Sequence, residues 1–298
     1  MFPGRNLIQY SNMVLGAPLD KGLSFLFLIN ALLLNGNQTR QFIDFMSMIY
    51  FTTTPSIVLT ISMTLIAAIA IHSGVEVIGR LAWLLTPIIL SIILAIILPL
   101  TYSLDLGHLL PVMEHGLPPV GRGALFLDLW FSMYVYLTFF LPHVHPSANM
   151  RLWGWISAAV AAACFLFSFI YILGIMGVAI RTFTYPFMVM SRFTQAFEFL
   201  AHLDALVILF WVLDVFLRAC MTYYCLVVGF AHWFGLKDYS RLILPTGVLI
   251  TCFTYWSFPN MTVFTGSAQI FAIVYLTFHF IYPLILLIIA KLRGFKAQ

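Results

Sequence analysis

Residues 197–234 read FEFLAHLDALVILFWVLDVFLRACMTYYCLVVGFAHWF, an apolar run interrupted by Asp204, Asp214 and Arg218. At about 100° per residue, with Asp204 at zero, Trp211 falls at about −20°, Arg218 at about −40° and Asp214 at about −80°, so the four share one arc of a helix. A charge in hydrocarbon costs roughly 2.5 to 3.5 kcal/mol on insertion scales, so this arc is expected to face protein or a wet cavity. Asp214 and Arg218 are four apart and can neutralise each other. Asp204 then needs a partner on another element.

Composition fixes the class. Hydrophobic residues make up 62% of the chain and charged residues 8%, with a mean hydropathy of +1.03. A water-soluble globule needs a far more polar surface. Residues 81–103 and 152–180 contain no Asp, Glu, Lys or Arg, and each run exceeds the roughly 20 residues that cross about 30 Å of hydrocarbon. The same runs exclude a β-barrel, whose strands alternate apolar and polar positions. The expected class is therefore an all-α integral membrane protein. The formal charge of +4 comes from Lys and Arg flanking the apolar runs, so it bears on topology and implies no nucleic acid. Cys164, Cys220, Cys225 and Cys252 lie in apolar segments without CxxC spacing and read as small core residues. The start, MFPGRNLIQY, lacks the apolar core of a signal peptide.

Taken in order, residues 1–19 read as an interfacial connector. About eight transmembrane helices follow, near 21–50, 55–72, 76–100, 124–141, 152–180, 197–234, 242–258 and 267–290, within a single membrane domain. The first carries its own polar stripe: measured from Asn30, Asn37 lies at about −20°, Asp44 at about −40° and Arg40 at about −80°. This stripe is expected to face the one on the sixth span, with Arg40 as the partner of Asp204. Pro87 lies inside the third span, and Glu76 and Arg80 near its start read as a structural pair. Residues 101–123 form a polar connector in which LLPV and GLPPVG mark turns. The fourth span contains Asp128, Ser132, Tyr134 and Tyr136. Residues 197–234 would reach about 57 Å if continuous, so the sixth span must tilt, break or begin outside the membrane. Lys291, Arg293 and Lys296 place the carboxyl end in the cytoplasm, and alternating back over eight spans places the amino end there too. Asn37-Gln-Thr and Asn260-Met-Thr match the glycosylation pattern.

Catalytic patterns are absent: there is no HExxH, GxSxG, P-loop or GxGxxG. The chain is not expected to be an enzyme, and no cofactor or metal is implied. His143 and His145 stand between two prolines as a pair without a third ligand, and His279, well inside a span, suits a buried hydrogen bond. The remaining chemistry is polar residues projecting from long helices. Intramembrane ionisable groups are the default pointers to a ligand or ion path, and the candidates are Asn37, Arg40, Asp44, Ser132, Tyr134, Asp204, Trp211, Asp214 and Arg218. The alternative is an inert network that pins helices together.

Seven motifs occur in order: FPGRNLIQY at 2–10, TRQFIDF at 39–45, GVEVIGRLA at 74–82 followed by Pro87, LDLGHLLPV at 104–112, Tyr185-Pro186, FLAHLDAL from 199 with Trp211, and KDYSRLILP at 237–245. On these the chain resembles the spore germination permease family, the B subunit of GerA-type germinant receptors, within the amino acid/polyamine/organocation transporter superfamily. The resemblance matches Arg40, Asp44, Asp204 and Arg218 to positions where that family has an arginine, an acid, an acid and a basic residue. It implies a spore germination protein: a transporter-like subunit that binds a small nutrient germinant, such as an amino acid, within the bilayer. That subunit would act with a germinant receptor A subunit and a lipoprotein C subunit, in the spore inner membrane or cell membrane. The alternative in the same superfamily is a proton-coupled secondary amino acid transporter.

Three departures accompany the match. Ala201 and His202 replace an acid and an arginine, LWFSMY at 129–134 stands where the family breaks its helix with Pro and Gly, and residues 2–10 match a segment that follows the family's first two helices. The resemblance thus implies a truncated five-plus-five inverted-repeat fold, with a misplaced gene start as the expected cause.

Overall fold

A computed structural model describes residues 4–111, 113–114, 116–144, 149–192, 203–258 and 261–295; within the helices the side chains of Phe126, Leu129, Arg192, Leu203, Asp204, Met261, Thr262, Phe264 and Thr265 lie outside the description. The described residues form helices and no strand, as an apolar chain that must satisfy its backbone without water requires. Contacts divide the chain into two compact units, one of Met1–Leu81, Gly121–Pro146 and Val215–Gln298, the other of Ala82–Val120 and Ser147–Asp214.

In the first unit, α1 (Leu7–Leu15) opens with a capping box between Asn6 and Gln9, which satisfies two backbone donors of the first turn. Its apolar face is spent on protein: Ile8 and Val14 are buried, Tyr10 donates to the Leu286 carbonyl and Tyr282 donates to Ser11. The amphipathic pattern read as an interfacial connector is thus the docking face of a packed helix. The long helix α2 (Ala17–Ile49) carries in its first turn Asp20, a buried carboxylate that accepts from Ser24 and Asn12 where the helix dipole favours negative charge. Next comes α3 (Ser56–His72). Gly36 of α2 lets that helix lie against the backbone at Phe253, since a Cβ at Gly36 would stand 2.9 Å from the Phe253 carbonyl carbon.

The helix α4 (Val75–Leu100) runs through Pro87 and Pro99 and carries the Glu76–Arg80 pair in the open. Trp83 and Tyr102 are 81% and 89% exposed. Nineteen helical steps separate them, about 28 Å, the thickness of a hydrocarbon slab between two aromatic belts.

The fourth span differs from its expected form. The helix α5 (Leu117–Phe131) begins earlier, because Pro118 and Pro119 occupy a first helical turn, where a missing N–H costs nothing; GLPPVG is a helix start. The helix then tightens into a 3₁₀ segment, Ser132–Phe139.

In the second unit, α6 (Met150–Met176) ends at Gly177, which takes φ 52°. The connector of 101–110 folds back on that end: His108 and the Asp105 amide both donate to the Gly174 carbonyl, at 2.8 and 3.2 Å. An expected loop is therefore a cap for orphan carbonyls. The short α7 (Pro186–Arg192) precedes α8 (Leu203–Phe234), which is unbroken from Leu203 onward. Residues 197–202, the expected start of that span, lie outside the described residues.

Back in the first unit, α9 (Ile243–Trp256), α10 (Met261–Tyr275) and α11 (Tyr282–Leu292) complete the chain. The last two are joined by a π-helical turn, Leu276–Ile281. Among the described residues, five helices are long and apolar enough to cross a membrane, with Ser56–His72 a shorter apolar one. Cys220 and Cys225 are core residues as expected, whereas Cys252 is exposed and Cys164 half-buried; all four are free thiols.

Candidate functional site

Deeply buried polar residues run around α2: Asn30 and Asn37 share one face, Asn35 and Thr39 lie about 140° and 180° from Asn30, and each is 2% exposed. Asn35 donates to Thr222 of α8 at 2.6 Å, and Asn37 donates to the Tyr275 hydroxyl of α10 at 2.9 Å. A side of α2 away from the stripe therefore meets Thr222 of α8, while the stripe's Asn37 meets Tyr275, a partner that the sequence reading did not propose.

Tyr275 leads directly to His279. Their rings stack in parallel, with centroids 5.5 Å apart and planes within 6°. His279 is buried inside the π-helical turn, where Nε2 lies 2.9 Å from the Tyr136 hydroxyl and Nδ1 lies 3.4 Å from the Ser132 hydroxyl. In either neutral tautomer one ring nitrogen donates and the other accepts, so both hydroxyls have a partner. The Phe27 ring of α2 closes the cluster edge-on, 6.0 Å from the imidazole. Two departures from α-helix thus meet at one histidine: the π turn carries it, and the 3₁₀ segment supplies its partners. Such irregular turns re-aim side chains and loosen backbone pairing, and π turns concentrate at functional sites.

No member of this cluster carries a fixed charge. It offers amide, phenol, hydroxyl and imidazole groups in an apolar surround, a setting for binding a small polar molecule by directional hydrogen bonds. Among the described residues, the carbonyl oxygen of the buried Asn37 amide and both polar atoms of Asn30 have no hydrogen-bond partner. Buried polar atoms are normally satisfied, so each such atom calls for an explanation.

The ionisable residues sit elsewhere. Arg40 pairs with Asp44 on its own helix at 2.9 Å, and both side chains are about four-fifths buried. The Arg40 guanidinium also lies 5.6 Å from the Tyr255 ring centroid. Arg218 stands 4.9 Å from the ring centroid of Trp130, a cation–π contact. Trp211, in the second unit, meets the Tyr185 ring edge-on at 6.2 Å, and Asp214 is half-buried in that unit. The expected Arg40–Asp204 contact lies outside the described residues, because the Asp204 side chain does.

Among the expected candidates the structure brings Asn37 and Ser132 to one cluster and Arg40 and Asp44 to one pair. Tyr134 is half-buried, and Tyr136 takes the place expected of it. The sequence reading also missed Tyr275 and Asn30 as site residues and took His279 only as a buried hydrogen-bonding group. A signal was present: at about 100° per residue, Tyr136 lies 40° from Ser132 and Tyr275 lies 40° from His279, whereas Tyr134 lies 160° from Ser132. His143 contacts the Tyr224 hydroxyl at 3.2 Å; His145 lies outside the described residues, as does Asn260. Asn37 is too buried to accept a glycan.

Comparison with known proteins agrees with the sequence resemblance. The family model described as "Spore germination protein" (spore permease) matches residues 1–262. Spore germination protein KB of Bacillus subtilis is 22% identical over 296 residues, covering 97% of this chain and 79% of its own. Putative spore germination protein YfkT of the same organism is 25% identical over 279 residues, covering 92% of this chain and 76% of its own. Spore germination protein YndE, also from Bacillus subtilis, is 22% identical over 255 residues, 84% of this chain and 70% of its own. No solved structure matches. With helices of spanning length and a family match over most of its residues, the chain is a multi-pass membrane protein that belongs to the spore germination permease family.

Proposed function

We propose that the chain is the transporter-like subunit of a germinant receptor, which binds a small nutrient, such as an amino acid, within the membrane and triggers germination without catalysing a reaction. One observation carries this reading: a buried polar network, from Asn37 through Tyr275 and His279 to Tyr136 and Ser132, meets where two helices leave α geometry. A bundle built only to be stable gains little from such a network. One that must hold a polar guest needs it, and a guest that prefers one arrangement of the 3₁₀ and π segments shifts their populations. A germinant receptor A subunit and a lipoprotein C subunit are the proposed readers of that shift. The proposed setting is the spore inner membrane or cell membrane with both termini cytoplasmic, in keeping with Lys291 and Arg293 after the last helix, and the proposed architecture is of the five-plus-five inverted-repeat kind. Asp204, Asp214, Arg218 and Trp211 remain proposed parts of the ligand or ion path.

Spores carrying the full-length chain and its partner subunits test this. Asn37→Leu is expected to raise the nutrient concentration needed for loss of refractility by about tenfold or more, the worth of one buried hydrogen bond to a ligand, at an unchanged membrane level. An unchanged dose response would overturn the reading. A proton-coupled amino acid transporter is the second reading, favoured by the Asp44 carboxylate oxygen that has no hydrogen-bond partner among the described residues. Amino acid flux into reconstituted vesicles that disappears in Asp44→Asn or Asp204→Asn would establish transport; ligand binding without flux would establish the sensor.

A further inference from the structure

Asn30 stands apart from every other amide of α2. It is 2% exposed, and neither its Oδ1 nor its Nδ2 has a partner among the described residues. Along α2 it lies between two contacts with the last membrane segment, about 4.5 Å beyond Phe27 and about 10.5 Å before Asn37 at 1.5 Å per residue. Phe27 touches the His279 ring, and Asn37 bonds to Tyr275. Asn30 lies about 60° around the helix from Phe27 and 20° from Asn37, so it belongs to the same face. The amide therefore lies on the face of α2, and within the stretch, that meets His279 and Tyr275, with a donor and an acceptor unused.

We propose that Asn30 is the recognition residue of an uncharged subsite beside His279, taking a ligand group that offers one hydrogen-bond donor and one acceptor side by side, as a carboxamide or a vicinal diol does. This rests on the nutrient-binding reading and narrows it to a chemical class. The two polar atoms of a side-chain amide lie in one plane and point the same way, so a second amide or a diol satisfies both at once, whereas a carboxylate satisfies the N–H and repels the carbonyl oxygen. A carboxylate would also arrive without a counter-charge from the His279 network, because Asn37, Tyr275, His279, Tyr136 and Ser132 carry none. The Arg40–Asp44 pair begins three residues, about 4.5 Å, beyond Asn37, and its two charges offset each other.

The full-length chain in lipid nanodiscs, titrated with L-glutamine, L-glutamate and erythritol, tests the subsite. L-glutamine or erythritol is expected to bind, with L-glutamate weaker by about tenfold or more, the discrimination of a site that leaves a buried polar group unpaired. Asn30→Leu is expected to lower the affinity for the neutral probe by a similar factor while the thermal midpoint holds or rises, since an apolar side chain of similar size removes two unsatisfied atoms. That pairing of lost binding with kept stability separates recognition from a merely structural role. Unchanged binding in Asn30→Leu, equal binding of L-glutamate, or no binding of either neutral probe overturns the proposal. Spores carrying the same variants separate the two levels. If germination needs Asn37 but not Asn30, the subsite is wrong and the nutrient reading stands. If Asn30-dependent binding persists while no variant alters germination, the nutrient reading is wrong.

Discussion

The helices α2 and α6 are of similar spanning length and opposite character. Residues 152–180, which contain nearly all of α6, have no charged residue, while α2 holds Asp20, Lys21, Arg40, Asp44 and three asparagines. In a soluble protein the first would be core and the second surface. Here the best membrane-crossing window of α2 is 44% buried and that of α6 is 17% buried. The difference teaches what acts as solvent. Lipid accepts Leu and Phe as readily as a protein interior does, so apolarity gives no drive to bury a helix. Asn, Arg and Asp must find partners inside the protein, and α2 is drawn inward by them.

The largest expected effect strikes the side of this comparison that would be indifferent in water. Phe167 of α6 is 55% exposed, and Phe167→Asp is expected to cost roughly 2.5 to 3.5 kcal/mol, seen as lost membrane insertion or a lower unfolding midpoint in lipid. A wild-type level and midpoint would mean that this face meets water. On α2 the effect is steric: Gly36→Ala puts a methyl against the Phe253 backbone, which cannot move aside as a flexible side chain can, so about 1 to 3 kcal/mol of stability is expected to be lost. The smallest effect has the opposite sign. A Cβ at Gly154 of α6 meets nothing within 4 Å, and Gly154→Ala is expected to gain about 0.5 to 1 kcal/mol from helix propensity. Equal midpoints for the two glycine variants would erase the contrast between the helices.

Charge-free runs and the period of α2 were legible in the residues, and so was the inward placement of its stripe, because both follow from solvation and a rotation of about 100° per residue. The partner of Asn37 was not legible, since Tyr275 lies 238 positions away and no periodicity encodes which helices adjoin. Nor was the 3₁₀ turn at Ser132, which no Pro or Gly immediately precedes and whose change of helix type answers to tertiary packing. The π turn at His279 was partly legible, because Pro283 has no N–H to offer the His279 carbonyl four residues back. The choice of Tyr134 over Tyr136 is different in kind, because the spacing already favoured Tyr136. The docked α1 was half legible: its amphipathic face was plain, but the pattern is the same whether that face meets headgroups or another helix.

The central claim is that the network around His279 is where the nutrient is sensed, and Tyr136→Phe tests it most directly. The ring and its packing remain while the hydroxyl that meets His279 Nε2 at 2.9 Å is removed. In spores carrying the full-length variant at the wild-type membrane level, the nutrient concentration for half-maximal germination is expected to rise by about five- to tenfold, as loss of one buried hydrogen bond entails. A dose response superimposable on wild type would contradict the claim and leave the network a structural pin.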